Sequence, residues 1–127
     1  MRASFPTSAG PALLLAAILT LPSGCGGRKK PAPADPQKTA ASLDAAFANA
    51  PSEIRTVVQS AGSSLRDNNT TDGFLALYSV SRDPTLTPEQ QRATGDALMS
   101  SLQELVKAAK NGDARAEKAL AAYRARK

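Results

Sequence analysis

The chain has 127 residues, with 16 Lys or Arg against 11 Asp or Glu, a net charge of +5, one Cys, no His and no Trp. No His general base, Ser-His-Asp triad or His-ligated metal site can be assembled from it, and no disulfide can close within it. Its length allows no more than one small domain behind any targeting segment.

The N-terminal segment has the three parts of an export signal. Met1 and Arg2 supply positive charge, Ala12–Leu21 forms an apolar run, and the small residues Ser23 and Gly24 precede Cys25. The strongly apolar stretch is shorter than the roughly 20 residues that cross a bilayer as a helix. A lone cysteine flanked by glycines and a basic run reads as an attachment point rather than a core residue. The arrangement Leu21-Pro22-Ser23-Gly24-Cys25 resembles the signal of bacterial lipoproteins. That resemblance implies cleavage before Cys25 and a diacylglycerol and palmitate-type acylation on its sulfur. It also implies residence in the cell envelope, with Gly26 after the cysteine pointing to an outer membrane and a periplasm-facing domain. Pro22 departs from the family pattern, since it holds the place usual for Leu, and Leu21 stands one residue too early. The alternative is an uncleaved anchor: Ala3–Gly27 carries no charge and is long enough to span. The basic run after it would then hold the body in the cytoplasm. Pro6, Pro11 and Pro22 oppose a continuous spanning helix.

Cleavage at Cys25 would leave 103 residues with 15 basic and 11 acidic side chains, a net charge of +4. Residues 25–38 read as the lipidated cysteine and a linker, because Pro31, Pro33 and Pro36 favour extended polyproline backbone. Arg28, Lys29 and Lys30 are the expected membrane-surface contacts, each adding about 1 kcal/mol of attraction to anionic head groups.

Residues 39–127 read as an all-α domain, a small bundle or array of about five short helices. The first is expected near Ala40–Asn49, with Ala40, Leu43 and Phe47 on one face, and is stopped by Pro51. Pro51 can open the second as its first residue, where Ile54, Val57, Val58, Ala61 and Leu65 make an amphipathic stripe. Gly62, Ser63 and Ser64 weaken its last turns. The polar break Asp67–Gly73 contains Asn-x-Thr triplets, which match a glycosylation acceptor by accident in a bacterial setting. Thr71 or Asp72 can cap a third helix in which Phe74, Leu77 and Tyr78 share a face; a short strand there is the alternative. Arg82–Thr85 is a turn. Thr87, Pro88 and Gln90 form a capping box that opens the longest helix, with Leu98, Leu102, Leu105, Val106 and Ala109 along one side. Gly95 within it suggests a close helix crossing. Asn111-Gly112 ends it with a left-handed cap, and Asp113 caps a fifth helix whose Ala116, Ala119, Leu120 and Tyr123 face one way.

The Ala-rich, aromatic-poor core is thin, so self-association or packing on a partner is one remedy. Leu86-Thr87-Pro88-Glu89-Gln90 resembles the Leu-Thr-x-x-Gln motif of small periplasmic helical chaperones, which implies an alternative role as a binder of unfolded or partner chains. That family usually carries the motif twice, and this chain has it once. Leu43–Glu104 holds four basic and eight acidic residues, whereas Leu105–Lys127 holds seven basic and two acidic. The basic end suits the helix dipole and also an anionic lipid or envelope polymer. With Tyr123 alone interleaved among the cations, single-strand stacking is poorly supported and nucleic acid is not an expected partner. No spacing marks a catalytic, metal or cofactor site; carboxylates such as Asp83 or Glu89 are the only enzymatic candidates. The functional expectation is a membrane-anchored, non-enzymatic lipoprotein that binds or scaffolds in the cell envelope.

Overall fold

The computed structural model describes residues 35–127. Among them five helices follow one another: α1 (Pro36–Ala46), α2 (Ser52–Arg66), α3 (Thr70–Val80), α4 (Pro88–Lys110) and α5 (Ala114–Ala125). The described residues contain no strand, so the all-α expectation holds and the Phe74–Val80 segment is helical.

Helix α1 begins at Pro36, four residues before the expected start and inside the stretch read as linker. Asp35 is its N-cap, with Oδ1 accepting from Gln37 N at 3.0 Å, and Pro36 occupies the first turn. An Asp-Pro step is a helix start as readily as a linker element, and the surrounding prolines masked it. Pro51 sits one position earlier than expected, as the N-cap of α2 rather than its first residue. Helix α3 starts at Thr70, ahead of the expected caps Thr71 and Asp72. Its N-cap Asn69 makes no side-chain capping bond to the backbone and instead donates from Nδ2 to Asp72 Oδ2 at 2.6 Å.

Two helix ends close by the same device. After α2, Asn68 adopts φ 57°, Asn68 N donates to Leu65 O at 3.1 Å and Asn69 N to Ser64 O at 2.8 Å. After α4, Gly112 has φ 89°, its N donates to Ala109 O at 3.0 Å and Asp113 N to Ala108 O at 3.1 Å. Both are Schellman closures, which satisfy the last carbonyls through one left-handed residue. Asp113 then caps α5, accepting from Arg115 N at 2.9 Å and Ala116 N at 3.1 Å. The capping box of α4 is complete: Gln90 N donates to Thr87 Oγ1 at 3.2 Å, and Thr87 N donates to Gln90 Oε1 at 3.0 Å.

The helices run up and down in turn. α1 packs on α2 and α4; α3 packs on α2, α4 and α5; α4 also packs on α5. α1, α2, α3 and α4 thus form a ring, each packed on two neighbours, and α5 closes against α3 and α4. At 23 residues, α4 is about 35 Å long and serves two cores. Leu43, Phe47, Val58, Ala61, Leu77 and Ala97 belong to the first, built on α1, α2 and α3. Phe74, Leu105, Ala116, Ala119 and Leu120 form the second, where α5 closes the array. Of the expected stripes, Val58, Ala61 and Leu65 are buried while Val57 is exposed, and in α4 only Leu105 is fully covered. A ring cluster seals the α3–α5 contact: Tyr123 meets Phe74 edge-on at 5.4 Å and Tyr78 edge-on at 5.6 Å.

The close helix crossing falls at another glycine than the one expected. A Cβ at Gly95 would meet nothing within 4 Å, so Gly95 marks no crossing. At Gly73 a Cβ would lie 2.8 Å from Leu65 Cδ2, and at Gly62 it would lie 3.5 Å from Ala40 Cβ. Gly73 therefore lets α3 approach α2, while at Gly62 a Cβ would make only ordinary van der Waals contact with α1. None of the described helices is long and apolar enough to cross a membrane.

Candidate functional site

Cys25, Arg28, Lys29 and Lys30 lie outside the described residues, as do the apolar run and Pro22. The chain enters the described domain at Asp35 and Pro36. Beside that point a small groove is lined by Thr39, Leu65, Thr70, Ser100, Ser101 and Glu104. The start of α1 therefore shares one end of the array with the end of α2 and the start of α3.

The basic C-terminal segment is the most strongly charged part of the domain. Three of its seven cations are engaged. Arg115 Nη2 donates to Asp72 Oδ1 at 2.9 Å, joining α5 to α3. Lys107 Nζ lies 3.8 Å from Glu104 Oε2, one turn back on α4. Lys127 Nζ sits over the Tyr123 ring, 5.4 Å from its centroid. Lys110, Lys118, Arg124 and Arg126 are exposed and have no carboxylate within ion-pair distance among the described residues.

The burial of α5 sets where these charges point. Ala116, Ala119 and Leu120 turn inward, which leaves the cations on the two flanks and the outer side. On the α3 flank, Arg115 and Lys118 border a groove of about 340 Å³ floored by Leu75, Ala119 and Ala122. On the α4 flank, Lys110 and Arg124, with Glu117, border another of about 340 Å³ floored by Val106, Ala109 and Leu120. Cations beside shallow apolar grooves can hold an anionic partner by long-range attraction and short apolar contact; they supply no reacting group. Tyr123 is half-buried and already packed on two rings, so it offers no free stacking platform.

The other singled-out residues have local roles. Within Leu86–Gln90, Leu86 is buried in the first core. Thr87 and Gln90 make the capping box, and Gln90 Nε2 also reaches Ala46 O at 3.4 Å, tying the start of α4 to the end of α1. Glu89 is exposed in the first turn of α4, where a carboxylate suits the helix dipole. Asp83 Oδ1 accepts from Thr85 Oγ1 at 2.6 Å and from Thr85 N at 2.8 Å. Those bonds, the hydroxyl's first, hold its carboxyl below the ordinary range. A carboxyl shifted that way is a weaker base, not a stronger one. Among the described residues no three of Cys, Asp or Glu gather as a metal-binding group.

Sequence reasoning missed the Asp72–Arg115 pair and the grooves beside α5. The pair spans 43 residues, and no local spacing announces a contact of that range. Comparison with protein-family profiles, with curated proteins and with solved structures finds no match to this chain.

Proposed function

We propose that this chain is an exported lipoprotein whose helical domain binds or scaffolds at the cell envelope and catalyses no reaction. The carrying observation is Cys25 itself, set after the apolar run and small residues and two glycines before Arg28-Lys29-Lys30. Acylation of its sulfur anchors the chain in the outer membrane, on the periplasmic side. The three cations then lie at the lipid surface and add electrostatic attraction to the acyl anchor, the kind of second signal that makes a lipid anchor stable.

Nine residues separate Cys25 from Asp35, and fully extended they span about 30 Å. The helical domain is thus held close to the lipid. Lys110, Lys118 and Arg124 on its last two helices, and Arg126 just after them, suit an anionic envelope polymer or an acidic envelope protein as partner. Support for this comes from these cations having no carboxylate partner among the described residues and from the shallow grooves that Lys110, Lys118 and Arg124 border.

The test is the intact mass of the membrane-bound protein, made from the full-length gene in a bacterial host. A chain starting at Cys25 with acyl groups is the expected result. An uncleaved, unacylated chain would overturn the proposal, and Cys25→Ser should release the protein from the acylation pathway in the same assay.

A further inference from the structure

The outer side of α3, flanked by α2 and α5, is a face that nothing in the described domain covers. The α3 residues Thr71, Leu75 and Ser79, spaced four apart, form its central ridge. Two of the three exposed large apolar side chains of the domain lie on it, Val57 at 38% and Leu75 at 45% exposure. On the α2 side, Ile54, Val57 and Val80 floor a groove of about 210 Å³ whose charged residues are Glu53 and Asp83. On the α5 side, toward the opposite end of α3, the groove holding Leu75 and Ala122 carries Lys118, with Arg115 already paired to Asp72. The face is therefore apolar along its middle, acidic at one corner and basic at the diagonal corner.

We infer that this face is the interface of a two-fold dimer between copies of this chain. In an isologous contact the same patch is used by both partners. A two-fold axis lying across the α3 ridge, between the charged corners, sets Glu53 and Asp83 of each copy against Lys118 of the other and brings the two Leu75 side chains together. Opposite charges at diagonal corners are what such an axis requires; like charges there would oppose it. Three helices about 9 Å apart, over about 17 Å of α3, give a face of roughly 450 Å² per copy, against about 800 Å² in a standard interface. The dimer is accordingly weak and salt-sensitive, and is favoured where copies are concentrated. It uses only α2, α3 and α5, so it does not depend on acylation of Cys25.

The experiment is sedimentation velocity on the full chain in detergent micelles, across protein and salt concentrations, with circular dichroism to check that each variant is folded. The chain should reach a dimer and no larger species. Lys118→Glu alone turns two attractive corners repulsive, whereas Glu53→Lys, which leaves Asp83 in place, cancels their attraction; each should weaken the dimer, Lys118→Glu about tenfold and Glu53→Lys less. Mixing the two variants restores one corner and leaves the other near neutral, so a heterodimer tighter than either variant's own dimer should form. Leu75→Asp should weaken association in every combination, with no rescue on mixing. A chain that stays monomeric to millimolar concentration, a dimer indifferent to the two charge reversals, or growth into open-ended oligomers would each overturn the inference.

Discussion

Gly73→Ala and Gly95→Ala should move stability in opposite directions although the chemical change is the same. Each lies inside a helix, where Ala is intrinsically better than Gly by about 1 kcal/mol. At Gly95 nothing lies within 4 Å of the new methyl, so the whole propensity gain should appear. At Gly73 the methyl would stand 2.8 Å from Leu65 Cδ2, 3.0 Å from Leu65 Cγ and 3.4 Å from the Ala61 carbonyl oxygen. Leu65 is only 6% exposed and belongs to the first core, so it has little room to retreat. Overpacking of this kind costs about 1–3 kcal/mol, which outweighs the propensity gain and leaves Gly73→Ala about 1 kcal/mol less stable than wild type. For a domain of this size 1 kcal/mol is about 4–8 °C in Tm. Thermal unfolding followed by circular dichroism should therefore show Gly95→Ala melting above wild type and Gly73→Ala below it, roughly 10 °C apart. Adding Leu65→Ala should cost less in the Gly73→Ala background than alone, because the truncated side chain makes room for the methyl. If Gly73→Ala melts as high as Gly95→Ala, the close α2–α3 crossing is wrong.

Three other substitutions test separate parts of the fold. Thr87→Ala removes one half of the capping box and should lower stability by about 1 kcal/mol, read from urea unfolding. Thr94 is fully buried and its Oγ1 has no hydrogen-bond partner, so Thr94→Val, of the same shape, should raise stability by about 1 kcal/mol. Asp83 has its carboxyl lowered by bonds from Thr85. Its contribution is therefore present above the unfolded-state value near 3.9 and is lost as pH falls through the lower folded value. Asp83→Ala should thus melt below wild type at neutral pH, with the gap closing in acid; a gap that is constant with pH would show that the Thr85 bonds do not matter.

Local order was decided by residues near one another in the chain. Thr87-Pro88-Glu89-Gln90, Asn111-Gly112 and Asp113 marked their helix ends because capping is satisfied within a few residues, by side chains that reach the first backbone N–H groups or by a residue that tolerates positive φ. Asp35-Pro36 follows the same logic, but it lay among prolines whose composition favoured a linker. Asn68 likewise does what Gly112 does, yet Asn is a weaker sign of a left-handed residue than Gly. The anchor proposed at Cys25 also rests on a local pattern, legible only as a string of residue types.

Partnership between helices was decided elsewhere. The periodicity of α2 put Val57 and Val58 on one apolar stripe, but the packing of the other helices into the first core buries Val58 and leaves Val57 at the surface. Which glycine is crowded depends on which helix crosses it; Gly95 and Gly73 look alike in sequence and differ in what stands opposite. The same holds for Asp72 with Arg115 and for the diagonal charges on the α2–α3–α5 face. A helix's own residues set where it begins, where it ends and which side is apolar, since those are interactions over one or two turns. Neighbours brought in by tertiary packing determine what that side touches, and with it the surface left free to meet another molecule.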